Sequence, residues 1–146
     1  KELLTIGFHT DIRSNKINEI KHNSNLTVLL YDHVGKIQIK INGIALINHK
    51  NANTEAIWSK IRDFSKKCYL VQHAPGTNSS EATSGYPEHY ENTLPSPQEL
   101  ELGYENFSHV SISIKVIEWL YLHQNGHRRA RFTIDSDHID KQWIAP

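Results

Sequence analysis

Apolar and polar residues alternate strictly over Lys36-Ile37-Gln38-Ile39-Lys40-Ile41, the two-residue period of a strand with one face toward a core. Upstream, Leu3 to Thr10 predicts a first strand. Asp11 to Ser14 then turns into a helix over about Asn15 to Lys21, with Ser14 as its N-cap and Ile17 and Ile20 on one face. Leu26 to Tyr31 is a continuous apolar run and predicts a strand buried on both faces. Gly43 is placed to bulge or bend the chain before Ile44 to Ile47. Asn53-Thr54 predicts the start of a helix running to about Phe64, with Ile57, Ile61 and Phe64 at i, i+4 and i+7 as its buried face.

From His73 to Ser96 the periodicity dissolves into Pro, Gly, Ser, Asn and Thr. A stretch of that length is either a functional or a mobile loop. A short helix from about Pro97 to Asn106 leads into a long apolar strand through Leu122, and Asn125-Gly126 predicts a type I′ hairpin turn into His127-Arg128-Arg129-Ala130-Arg131-Phe132. Antiparallel strands, a tight hairpin and few short helices predict a mainly β fold, a small β-barrel with peripheral helices. Residues 1–146 form one domain in this reading, with 73–96 a long loop inside it.

Lys+Arg and Asp+Glu are both 16, so the formal net charge is zero. That removes the global basic field on which non-specific nucleic-acid binding depends, and no nucleic-acid partner is expected. No apolar run approaches the roughly 18 residues of a membrane-spanning helix. Cys68 has no internal disulfide partner, so a reducing, cytoplasmic setting is expected, and its apolar Cys-Tyr-Leu setting suggests packing rather than reactivity. Among the 10 histidines only His123 and His127 have His-x-x-x-His spacing, and the expected Asn125-Gly126 turn lies between them rather than a helix face, so no metal site is expected. The chain opens at Lys1 and goes almost at once into a strand, so a further N-terminal segment is expected.

The candidate chemistry is anion binding. Alternation puts Arg129 and Arg131 on one face of the return strand and Arg128 on the other, and rigid guanidinium forks suit phosphate or carboxylate. A charged edge strand that discourages aggregation has the same sequence. Thr10, Arg13, Ser14 and Lys16 surround the start of the first helix, where backbone N–H groups and the helix dipole favour an anion. Solvated charges at a helix start would also look like this.

In this order, Gly7-Phe8-His9-Thr10-Asp11-Ile12-Arg13-Ser14-Asn15-Lys16, Asn25 to Tyr31, the Gln38 strand ending at Gly43, Cys68-Tyr69-Leu70, and His127 to Phe132 with the terminal Trp143-Ile144-Ala145-Pro146 resemble the pyridoxamine 5′-phosphate oxidase-like, FMN-binding split-barrel family. The resemblance implies that His9 and Thr10 lie against the flavin and that Lys16 contacts the FMN phosphate. Asn15 stands where the family often has an arginine, and Arg13 would supply the missing charge. Gln38 and Arg131 would reach the isoalloxazine, with Gln72 and Trp119 as looser matches. A homodimer with FMN at the subunit interface is also implied, as is an upstream strand that helps hold the flavin.

The resemblance also marks departures from the oxidase proper. His127 and Arg129 occupy positions where it has Arg and His, and Trp58 and Lys66 stand where it has a substrate-covering Tyr and Ser, while Arg62 keeps its Arg. The implied function is a flavin-dependent oxidoreductase with a different or unassigned substrate and no identified catalytic residue. The alternative is a non-catalytic module that stores or senses flavin.

Overall fold

The computed structural model describes residues 4–135 and 138–146; Leu3, the first residue of the expected strand, lies outside them. Six strands form one sheet: β1 (Thr5–Asp11), β2 (Asn25–Asp32), β3 (Ile37–Asn48), β4 (Phe107–Tyr121), β5 (Arg128–Asp135) and β6 (His138–Ile144). The order is β2-β3-β4-β5-β6, and β1 pairs with β4. Helices α1 (Asn15–His22), α2 (Ala52–Trp58), α3 (Asp63–Lys67) and α4 (Pro97–Glu101) complete the regular structure, with short 3-10 turns at Glu88–Tyr90 and Leu102–Asn106.

Contacts divide the chain into two compact units. Among the described residues, the first comprises 4–6, 23–46, 111–135 and 138–146, and the second 7–22 and 47–110. The first unit buries Ile41, Ala45, Ile112 and Ala130. The second buries Ile17, Ile20, Leu100 and Val110 around an aromatic group in which Trp58, Tyr69 and Tyr104 surround Phe107. Phe107 is 0% exposed, and burying a side chain of that size is worth about 1.5–3 kcal/mol.

Helix α1, with Ile17 and Ile20 inward, follows the sequence pattern. Four expectations fail. The Leu26–Tyr31 strand is not buried on both faces: β2 ends the sheet order, and Leu29 remains 60% exposed. The Asn53–Phe64 helix starts earlier, capped by a reciprocal Asn51–Thr54 box, and breaks after Trp58. Arg62 is extended before α3, which changes the helical phase and leaves Phe64 76% exposed.

Gly43 does not bulge β3, which is continuous from Ile37 to Asn48 and keeps an unbroken register with β2 across Leu26–Gly43. A Cβ there would lie 2.5 Å from the Ser113 carbonyl oxygen and 2.6 Å from Ile112 Cγ2, so glycine permits close strand contact. The hairpin is also wider than a type I′ turn: Tyr121 pairs with Arg128, Gly126 N–H donates to the His123 carbonyl, and only Gly126 in the Asn-Gly pair has positive φ. Terminal strand β6, paired along β5, has no counterpart in the sequence reading.

Candidate functional site

In the second unit, β1 delivers Thr10 to the start of α1. The Ser108 hydroxyl donates to the Thr10 carbonyl at 2.7 Å and fixes the strand end. Thr10 Oγ1 lies 3.3 Å from Ser14 Oγ, and Lys16 Nζ donates to Thr10 Oγ1 at 3.3 Å. Both hydroxyl residues are buried while Lys16 is exposed. Two hydroxyls and an ammonium therefore meet where the first helical N–H groups lack intrahelical acceptors, an arrangement chemically suited to a phosphate.

Arg13 does not add a free charge to this group. Its Nε and Nη2 donate to the two oxygens of Asp11 at 3.0 and 2.7 Å, and Nη2 and Nη1 donate to the carbonyls of Val71 and Gln72 at 3.0 and 3.3 Å. The hydrogen bond to Asp11 raises the Arg13 pKa above its ordinary value despite partial burial. Asp11, two residues upstream, was the missed partner, although its spacing made it a candidate. Asn15 donates to Glu19 at 2.9 Å.

The exposed His9 ring stands edge-on to Phe107 and His109, with centroids 5.1 and 5.4 Å away. Partial burial lowers the pKa of both histidines, and for His109 the neighbouring His9 charge adds to the effect. Gln72 N–H donates to the Gly85 carbonyl at 2.9 Å, closing the base of a loop. That loop, together with Cys68 and Val71, lines a cavity of about 600 Å³. Cys68 is exposed, contrary to the expected packing.

The residues matched to a substrate cover are arranged differently from that expectation. Trp58 is 4% exposed in the aromatic core, and its Nε1 donates to Glu101 at 2.8 Å. Lys66 is buried, pairs with the same carboxylate and lies over the Trp58 ring. Arg62 is exposed at the start of α3. Trp58 is thus held by packing, the physical reason it cannot present its ring freely to a ligand.

In the first unit, the β4–β5 register sets Glu118 opposite Arg131 and Trp119 opposite Ala130. Glu118 is buried and receives Arg129 Nη2 at 2.7 Å on one oxygen and Arg131 Nε at 2.9 Å on the other. The Arg129 hydrogen bond is the leading cause holding the Glu118 carboxyl below its ordinary pKa, against the opposing effect of burial. One carboxylate between two guanidiniums leaves a local positive charge. Glu118 was overlooked, although pairing the two strands from the hairpin would have brought it opposite the arginines.

Trp119 and Arg131 point to opposite faces of the hairpin, so the shared flavin contact expected of them does not follow from one face. Trp119, Ala130, Phe132 and Trp143 join Ile39 and Ile117 along an apolar cavity of about 650 Å³. Gln38 is half-buried and alternates with Ile39, which places it away from that cavity. His127 is exposed in the hairpin loop, where its Nδ1 accepts the His123 N–H at 3.2 Å.

No protein-family model and no curated protein matches the chain. Two solved structures share its fold over its whole length. A pyridoxamine 5′-phosphate oxidase-related, FMN binding protein from Nostoc punctiforme PCC 73102 is 16% identical, with a TM-score of 0.78 and 75% of that chain covered. PhzG from Burkholderia lata 383, in complex with tetrahydrophenazine-1-carboxylic acid, is 15% identical, with a TM-score of 0.65 and 72% covered. The chain therefore has the mainly β, split-barrel fold of the pyridoxamine 5′-phosphate oxidase-related proteins.

Proposed function

We propose that the protein binds FMN and acts as an oxidoreductase with a different or unassigned substrate. The observation that carries this reading is the convergence of Thr10, Ser14 and Lys16 at the start of α1, in a fold shared with an FMN binding protein. An FMN phosphate carries close to two negative charges. Lys16 would provide one charge-assisted donor, and the hydroxyls and helix N–H groups the remaining directional bonds.

His9, next to Thr10 on β1, is proposed to lie against the isoalloxazine. When bound, FMN supplies hydride chemistry; the protein's part is to bind, orient and tune it. The apolar Trp119–Trp143 face supports a homodimer, because an exposed patch of this kind favours association.

Titration with FMN, followed by flavin fluorescence, tests the reading. Quenching with saturation is expected, and Lys16→Ala should weaken binding at least tenfold. Failure of the wild-type protein to take up FMN would overturn the proposal. Light scattering at micromolar concentration tests the dimer, which a monomeric mass would refute.

A second reading is non-catalytic flavin storage or sensing. It is favoured by the engagement of Arg129 with Glu118 and the burial of Trp58, two residues expected to face substrate. The readings separate on turnover: an oxidoreductase will reduce or reoxidise its bound flavin with some donor and acceptor, whereas a storage module will not turn over pyridoxamine phosphate, pyridoxine phosphate or reduced nicotinamides.

A further inference from the structure

Arg13 stands within the anion-binding turn by sequence, but its guanidinium is directed elsewhere. A guanidinium has five N–H donors. It donates four hydrogen bonds within the protein, two to Asp11 and one each to the carbonyls of Val71 and Gln72. Asp11 also accepts the Arg13 backbone N–H at 2.8 Å, so the pair is locked at both main chain and side chain. The ion pair is electrically balanced and leaves little capacity for a phosphate.

The chain segment held by this fork is separated from Arg13 by 58 and 59 residues in sequence. It carries Gln72, whose own N–H closes the 72–85 loop through Gly85. A lysine retains the positive charge of arginine but cannot reproduce a planar fork bonded at once to a carboxylate and two carbonyls. The contacts therefore distinguish geometry from charge.

We infer that Arg13 is a positioning residue that seats the Val71–Gln72 segment beside the Thr10–Ser14–Lys16 turn, and thereby governs flavin affinity without contacting the phosphate. This rests on the FMN reading of that turn. It assigns Lys16 to recognition of the phosphate and Arg13 to placement of the Val71–Gln72 segment beside it.

The test compares FMN with riboflavin, which lacks the phosphate, in wild-type protein, Arg13→Lys, Arg13→Gln and Lys16→Ala. Both Arg13 variants should weaken FMN and riboflavin by the same factor, about tenfold, leaving the ratio of the two affinities within twofold of wild type. Lys16→Ala should weaken FMN by tenfold or more and riboflavin by less than twofold. Amide hydrogen exchange on the flavin-free proteins should be faster at Gln72 and Gly85 in both Arg13 variants than in wild type.

Selective loss of FMN in Arg13→Gln with full recovery in Arg13→Lys would make Arg13 a phosphate contact and overturn the inference. Unchanged exchange at Gln72 would overturn it independently of any ligand. If wild-type protein binds neither flavin but exchange accelerates in the variants, the FMN reading and the proposed effect on affinity fail while the seating of the loop stands.

Discussion

Replacing Glu118 by glutamine would leave a side chain of nearly the same shape between Arg129 and Arg131 but remove the charge both guanidiniums share. Removing one partner from a fully buried ion pair costs about 3–5 kcal/mol. Here the carboxylate is buried, while the side chains of Arg129 and Arg131 are 31% and 46% exposed and can recover hydration. A loss of about 2 kcal/mol is therefore expected after that discount, corresponding for a chain of this size to a fall in Tm of roughly 4–8 °C.

Urea denaturation of wild type, Glu118→Gln, Arg129→Ala and the double variant gives the measurement and the coupling between the two residues. The carboxyl has its folded pKa lowered, so its stabilising contribution is present above the ordinary value of about 4.5 and is lost as pH falls through the folded value. Glu118→Gln should lose this part of the acid limb. A change within about 0.5 kcal/mol of zero, the range of an unremarkable surface substitution, together with an unchanged acid limb, would refute the reasoning.

Three further outcomes are expected. Gly43→Ala should destabilise by about 1–3 kcal/mol in urea melts, because its new methyl meets the Ser113 backbone carbonyl rather than a movable side-chain end; wild-type stability would rule out the close approach. The lowered pKa values of His9 and His109 predict a contribution present above their ordinary value of 6.5 and lost as pH falls through the folded values. His109→Gln should flatten that dependence in melts between pH 8 and 5. Trp58→Ala should cost about 3–5 kcal/mol as a core deletion, whereas Phe64→Ala should stay within about 0.5 kcal/mol; comparable losses would contradict their assigned burial.

The parts legible in the sequence were those governed by local periodicity. Ile17 and Ile20 identify the inward face of α1, and alternation correctly places Arg129 and Arg131 on one side of the hairpin. Long-range pairing was harder to read. The apolar composition of Leu29 and Tyr31 resembles a central strand, yet exposure follows from β2 having only β3 beside it in the sheet order. Phe64 fits a continuous helical pattern, but the extended Arg62 backbone resets its phase.

At the candidate site, sequence marks Thr10, Ser14 and Lys16 as a local group because they lie within one turn and its approach. It does not reveal that Arg13 is committed to carbonyls from the 71–72 segment, or that Glu118 joins the hairpin arginines. Those are consequences of tertiary placement and strand register. Trp119 adds the complementary lesson: proximity in the hairpin sequence says nothing about a shared ligand until alternation and pairing identify its face.

The hydrogen bond from Ser108 to Thr10 spans 98 residues. During synthesis at about 5–20 residues per second, that interval corresponds to roughly 5–20 s before its donor has been made. The end of β1 must therefore emerge from the ribosome with its native polar partner still unwritten. This makes the anchoring of the Thr10 end of β1 a late-maturing feature of an early-synthesised segment.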